Sequence, residues 1–91
     1  MVETHIVKRR GQKEKFDEKK VYGSVYWACK SSSLHGKQCE SISKSVLEEL
    51  KKELKNKKEV NSTRIFKFVS KALKKLHKEA AYMYESHRDV S

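Results

Sequence analysis

The chain has 91 residues, of which 36% are hydrophobic and 37% charged, and a single domain of this size leaves no room for a large internal cavity. Lys and Arg number 22 against 12 Asp and Glu, so the formal net charge is +10 and a polyanion is the natural partner. The apolar residues recur at regular spacings, which excludes a disordered basic chain. No apolar run approaches the roughly 20 residues that span a bilayer, and the first residues lack the apolar core of a signal peptide. We therefore expect a soluble, cytoplasmic protein without membrane contact.

Two short extended segments open the chain, Thr4–Arg9 and Gln12–Phe16, with Arg10 and Gly11 between them. Glycine tolerates positive φ, so a residue followed by glycine between such segments predicts a hairpin with a two-residue turn. The later stretch KEVN, at 58–61, is long enough to add one strand to the edge of this hairpin. The sequence thus predicts a sheet of three short strands.

A first helix is predicted after Asp17, which has the side chain of an N-cap residue. Apolar residues follow at helical spacing over about three turns: Val21, Val25, Ala28 and Cys29. Gly23 inside this helix costs about 1 kcal/mol relative to alanine, so we expect it to permit close packing.

Three further helices follow the loop-like stretch SSSLHGKQ at 31–38. The second helix, ending in KNKK, carries the apolar series Cys39, Ile42, Val46, Leu50 and Leu54. The third, capped by Ser62 or Thr63, carries Ile65, Phe68, Val69, Ala72, Leu73 and Leu76. We expect a break near His77 and then a fourth helix with Ala80, Ala81, Met83 and Tyr84. The predicted fold class is α+β, a three-stranded sheet capping a four-helix bundle, with residues 1–91 as one domain.

Cysteine and histidine are not spaced as metal ligands in this chain. Cys29 and Cys39 form no close CxxC pair, and the four histidines do not cluster. We therefore expect reduced thiols and no metal site.

Three separated stretches, IVKRRGQKEKFDEKKV, EVNSTRIFKFV and AAYMYESHRDV, together resemble the signatures of the ATP-cone. This family is the nucleotide-binding regulatory module at the start of many ribonucleotide reductases and in a bacterial repressor of their genes. The first signature is matched by Ile6, Lys8, Arg9, Gly11, Glu14, Phe16 and Asp17. The second is matched by Val60, Ser62, Thr63 and Ile65. The third is matched by Ala80, Ala81, Tyr82, Tyr84, His87, Arg88 and Asp89. The resemblance extends over nearly the whole chain, from about residue 5 to 90.

The resemblance implies a site for ATP or dATP, with Mg²⁺, at the hairpin and the start of the first helix. A triphosphate needs converging cations and the N–H donors of a helix N-terminus, and Lys20 lies in the first turn of that helix. By resemblance, Lys8 and Arg9 contact phosphates, and residues 14–20 line the rest of the pocket. The full set of expected site residues is Ile6, Lys8, Arg9, Glu14, Phe16, Asp17, Lys20, Val21, Ser62, Phe66 and Arg88. Among them, Ile6 and Val21 offer an apolar floor for adenine, and Arg88 offers a phosphate ligand from the last helix.

The function implied by the resemblance is that of a free-standing, non-catalytic sensor of adenine nucleotides. It would change its oligomeric state, or control in trans a partner such as ribonucleotide reductase. One alternative is a basic nucleic-acid-binding protein or transcriptional regulator, since a charge of +10 can neutralise several phosphates. A nucleotide-hydrolysing enzyme is disfavoured, because the chain contains no GxxxxGK[ST] loop. For Lys13, Lys15 and Lys19, solvated protection of a sheet edge is the competing interpretation.

Overall fold

A mixed three-stranded sheet and four helices make up the fold in the computed structural model, which describes residues 4–86. In chain order the elements are β1 (His5–Val7), β2 (Lys13–Lys15), α1 (Glu18–Ser31), α2 (Gly36–Leu54), β3 (Glu59–Asn61), α3 (Ser62–Leu76) and α4 (Lys78–Ser86). The predicted α+β class, with a hairpin, one added strand and four helices, is confirmed. None of the helices within the described range is long and apolar enough to cross a membrane.

The sheet has the strand order β2-β1-β3, with β2 antiparallel and β3 parallel to β1. Ile6 at its centre pairs with Glu14 on one side and with Val60 on the other. Directly paired residues project from the same face of a sheet. Val60 is buried and Ile6 packs against the hydrophobic core, so this shared face is turned toward the helices. Glu14 therefore lies on the helix-facing side of the sheet.

The hairpin loop is one residue longer than the sequence predicted. The Lys8 N–H donates to the Gln12 carbonyl at 2.8 Å, and the Gly11 N–H donates to the Lys8 carbonyl at 2.9 Å. Three residues, Arg9, Arg10 and Gly11, thus form the loop, with Gly11 in the left-handed region at φ 81°. The prediction of a two-residue turn was wrong because Gly11 takes the left-handed position of a bulged three-residue turn. Each strand is correspondingly shorter than expected.

Side chains at the helix starts accept from backbone N–H groups that have no partner within the helix. Asp17 caps α1 as predicted, its carboxylate accepting from the Lys19 N–H at 2.9 Å. The cap of α3 is Asn61, whose side-chain oxygen accepts from the Thr63 N–H at 2.7 Å. The prediction of Ser62 or Thr63 as the cap was wrong. Asn61 is the last residue of β3 and its backbone is still extended, so the helix begins immediately after it.

The remaining helix boundaries follow from local backbone and side-chain contacts. α2 begins within the predicted loop, at Gly36, and the Gln38 side chain accepts from the His35 N–H at 3.2 Å. It ends at Leu54, directly before KNKK, where Asn56 adopts a left-handed φ of 68°. The predicted break between α3 and α4 is confirmed. His77 is extended there, and its Nδ1 accepts from the Ala80 N–H at 3.1 Å.

The hydrophobic core lies between the four helices, where α1 and α3 each pack against both α2 and α4. The predicted apolar series supply most of it: Val25, Ala28, Cys29, Cys39, Val46, Leu50, Leu54, Ile65, Val69, Ala72, Leu73, Ala80 and Ala81 are buried. Leu76, at the last turn of α3, is instead 48% exposed. The prediction that Gly23 permits close packing was wrong, because a Cβ at this exposed position would meet no atom within 4 Å. Both cysteines are free thiols within this core.

Candidate functional site

Two lysines from different parts of the chain form ion pairs with the same carboxylate, that of Glu14, near the start of α1. The Lys8 ammonium lies 3.3 Å from one carboxylate oxygen of Glu14, and the Lys20 ammonium lies 3.8 Å from the other. Lys8 directly follows β1, Glu14 is the central residue of β2, and Lys20 is in the first turn of α1. The structure thus brings together three of the predicted site residues, which we call the Lys8–Glu14–Lys20 cluster.

The cluster carries one more positive than negative charge and is open to solvent. The exposed fractions of the side chains rise from 22% for Lys8 to 38% for Glu14 and 70% for Lys20. The start of α1 adds the partial positive charge of a helix N-terminus beside these side chains, offset in part by the carboxylates of Asp17 and Glu18. The two ammonium groups can be reached by an anion from solution.

Apolar side chains border the charged cluster on the sheet and on α1. Ile6 pairs directly with Glu14, and the half-buried Phe16 and Val21 pack with Ile6 against the core. An open groove of ≈ 550 Å³ at the junction of β2 and α1 is lined by Lys15, Phe16, Asp17, Glu18 and Lys19. Pockets of about 300–1,000 Å³ hold small-molecule ligands, so this groove offers enough room for one. Lys8 and Lys20 are not part of its lining.

Arg9 does not join the cluster, although the sequence grouped it with Lys8 and Lys20. It is the first residue of the hairpin loop, its side chain is exposed, and it forms no ion pair with any residue in the described range. Lys8 differs because its N–H is bonded across the hairpin, which keeps its side chain beside the sheet. Lys13 also lies apart, on the opposite face of the sheet, where its ammonium is 2.7 Å from Glu59 and lowers the pKa of that carboxyl.

The start of α3 reaches the same end of the molecule through the parallel pairing of β1 and β3. Val7 of β1 pairs with Asn61 of β3. Because the two strands are parallel, the residues that follow them, Lys8 and Ser62, leave the sheet side by side. Ser62 is the first residue of α3 and is half-buried. The predicted hydroxyl position thus lies next to one of the two clustered lysines.

Phe66, one helical turn after Ser62, is held by a ring contact that the sequence did not predict. Its ring stacks on that of Tyr84 in α4, with centroids 5.2 Å apart and planes inclined by 19°. Burial raises the pKa of Tyr84 to about 12. The sequence includes Tyr84 in the third family signature but predicts no contact for its ring. The contact with Phe66 arises from the packing of α4 against α3. Arg88, the remaining predicted ligand, lies outside the described residues.

A small mixed sheet capping four helices, with two lysines paired to one glutamate near a helix N-terminus, defines an α+β module. The chain belongs to the ATP-cone family: the family model "ATP cone domain" matches residues 4–89. It is also 35% identical over 92 residues to the transcriptional repressor NrdR of Carboxydothermus hydrogenoformans. That match covers 94% of the chain and 57% of the relative, so the chain spans little more than half the relative's length. The resemblance read from the sequence is confirmed, and it supports an adenine nucleotide as ligand and a regulatory role.

Proposed function

We propose that this chain binds ATP or dATP at the hairpin end of its helical bundle and acts as a regulatory, non-catalytic module. Occupancy of the site would control the oligomeric state of the protein or its docking to a partner such as ribonucleotide reductase. The observation that carries the proposal is the Lys8–Glu14–Lys20 cluster at the start of α1, in a chain of the ATP-cone family.

The phosphates would bind by replacing Glu14 as the counter-ion of the two lysines. A triphosphate presents several charged oxygens, whereas Glu14 offers two oxygens and a single charge to ammonium groups 3.3 and 3.8 Å away. Arg9 would close over the phosphates from the hairpin loop, where its planar guanidinium can pair with two phosphate oxygens. Mg²⁺ would enter with the nucleotide, coordinated by phosphate oxygens and water, as this ion retains several waters when it binds.

The base and sugar would occupy the apolar surface beside the cluster. Ile6, Phe16 and Val21 would provide that surface, and the hydroxyl of Ser62, the residue that follows β3, would hydrogen-bond the ligand. Phe66 has no side-chain hydrogen-bonding group, so it would contribute contact area rather than a donor or acceptor.

Occupancy of the site would be transmitted through the contact between the hairpin and α1. In the structure Glu14 joins the hairpin to α1 through Lys20. When phosphates take over both lysines, this link between sheet and helix is replaced by one that passes through the ligand. The hairpin then shifts relative to α1, and the outer surface at this end of the bundle changes.

Isothermal titration of ATP and of dATP, each with Mg²⁺, tests the site. The double variant Lys8→Gln/Lys20→Gln should bind at least 10²-fold more weakly, since a hydrogen bond to a charged group is worth about 1.5–3 kcal/mol. The matched control is Lys13→Gln/Lys30→Gln, which removes one lysine from the same hairpin and one exposed lysine from the opposite end of α1. This control should change the affinity less than threefold. Absence of binding at millimolar nucleotide, or equal losses in both variants, would refute the assigned site.

Light scattering after size-exclusion chromatography tests the regulatory part separately. The mass of the protein, alone and mixed with ribonucleotide reductase, should change when ATP or dATP is added. The Lys8→Gln/Lys20→Gln variant should show no such change. Sustained hydrolysis of ATP that Glu14→Gln abolishes would contradict a non-catalytic role.

A further inference from the structure

The outer face of α3 carries charge of a single sign. This helix contains five basic residues and no Asp or Glu. At 3.6 residues per turn, the five basic residues fall within an arc of about 100°. We call them the α3 basic stripe: Arg64, Lys67, Lys71, Lys74 and Lys75, all exposed.

Three of the five charges in the stripe are not neutralised by neighbouring acids. Near the start of the stripe, Arg64 lies 3.4 Å from Glu53 of α2, and near its end Lys74 lies 3.7 Å from Glu85 of α4. Lys67, Lys71 and Lys75 have no ion pair with any residue between 4 and 86. These three lysines follow one another at intervals of one turn, about 6 Å along the helix. A line of three uncompensated charges about 12 Å long therefore faces solvent.

The stripe is separate from the nucleotide site. α3 starts at the sheet, and the stripe runs from Arg64 to Lys75 along the side of the bundle, over about 16 Å. The apolar side of the helix, with Ile65, Val69 and Leu73, is buried in the core. Insertion of this helix into a membrane surface would require that apolar side, so an anionic bilayer is a poor match.

We propose that the α3 basic stripe binds the phosphate backbone of duplex nucleic acid. A duplex presents about one negative charge per 1.7 Å of its axis, so the length of the stripe faces a dense row of phosphates. Lysines on flexible stems act as point charges and contact phosphates without reading bases. The binding is therefore independent of sequence and strongly dependent on salt.

Fluorescence anisotropy with a labelled 20-base-pair DNA duplex of arbitrary sequence, between 50 and 200 mM KCl, tests this surface. The test variant is Lys67→Gln/Lys71→Gln/Lys75→Gln, because glutamine keeps the helix propensity of lysine. Loss of three phosphate contacts should lower the slope of log Kd against log salt by about 2–3. The same loss should weaken binding on the order of 10²-fold at 100 mM KCl. Circular dichroism melts should match those of the wild type.

The matched control is Lys37→Gln/Lys44→Gln/Lys52→Gln, which removes the same charge from exposed positions of α2. Its affinity and salt slope should stay within a few-fold of the wild type, as should those of Lys8→Gln/Lys20→Gln. Equal effects of the α2 and α3 variants would overturn the proposal, because net charge alone would then account for binding. A wild-type protein that ignores the duplex but binds polyglutamate or anionic vesicles would overturn it as well. So would displacement of the duplex by ATP.

Discussion

Substituting Glu14 with glutamine should strengthen binding of a nucleotide triphosphate. The Glu14 carboxylate forms ion pairs with both ammonium groups that we assign to the phosphates, at 3.3 Å for Lys8 and 3.8 Å for Lys20. The incoming anion must displace it and remain beside a like charge. Glutamine fills nearly the same volume without that charge, so both costs are removed.

The size of the effect follows from the exposure of the cluster. An ion pair open to water is worth about 0.2–1 kcal/mol, and the side chain of Glu14 is 38% exposed. Breaking two such pairs would therefore reduce the free energy of ligand binding by about 0.4–2 kcal/mol. Since 1.4 kcal/mol is a tenfold change in Kd, Glu14→Gln should bind ATP about 2- to 30-fold more tightly than the wild type.

Isothermal titration of ATP should be performed with and without Mg²⁺, and Glu59→Gln is the matched control. Glu59 is the first residue of β3 and pairs with Lys13 at 2.7 Å, on the opposite face of the sheet from the cluster. The control makes the same change of net charge and should alter Kd less than twofold. An equal gain in both variants would refute the competition between Glu14 and phosphate. Weaker binding by Glu14→Gln only when Mg²⁺ is present would refute it too, and would make Glu14 a ligand of the metal.

Three further predictions concern stability and can be measured by urea unfolding. Gly23→Ala should stabilise the protein by about 0.5–1 kcal/mol, because the site is helical and a Cβ there meets no atom within 4 Å; a loss would mean that α1 needs the glycine. Leu50→Ala should destabilise it by about 2–5 kcal/mol, because Leu50 is fully buried between the helices; a cost below about 1 kcal/mol would contradict that burial. Tyr84 has a pKa of about 12 when folded and about 10 when unfolded, so between these values deprotonation favours the unfolded chain. Wild-type stability should therefore fall as pH rises above about 10, and Tyr84→Phe should remove that part of the decline; an unchanged decline would refute the assignment.

The helices could be predicted from the sequence because their apolar residues repeat at the spacing of one buried face. The series from Cys39 to Leu54 in α2 shows this, because its members Cys39, Val46 and Leu50 are fully buried. The break near His77 was predicted as well, although no Gly or Pro marks it in the sequence. In the structure a ring nitrogen of His77 accepts from the Ala80 N–H at the start of α4.

The start of α3 could not be predicted to the residue. Asn61, Ser62 and Thr63 are consecutive, and all three residue types are good helix caps. The choice among them is made by the parallel pairing of β3 with β1, which keeps Asn61 extended up to the helix. That pairing joins segments more than 50 residues apart, so no local pattern contains it.

At the candidate site, the sequence predicted that Lys8, Arg9 and Lys20 lie together, but not that Glu14 pairs with two of them. Lys8 and Lys20 were assigned to one phosphate site, and the structure places both on Glu14. Arg9 was assigned with them and lies apart in the loop. The contact of Phe66 with Tyr84 depends on how α4 packs against α3, and helical periodicity does not specify that arrangement.

The hairpin loop determines which face of the sheet carries Glu14, so loop length and site geometry are coupled. With the three-residue loop, Glu14 pairs with Ile6, on the face turned toward the helices. A two-residue turn at Arg10 and Gly11 would instead pair Glu14 with Val7. A slip of one residue turns a side chain to the opposite face, so in that register Lys8 and Glu14 would project from different sides of the sheet. The left-handed Gly11 thus supports the cluster as well as the turn, because it closes the three-residue loop that places Glu14 beside both lysines.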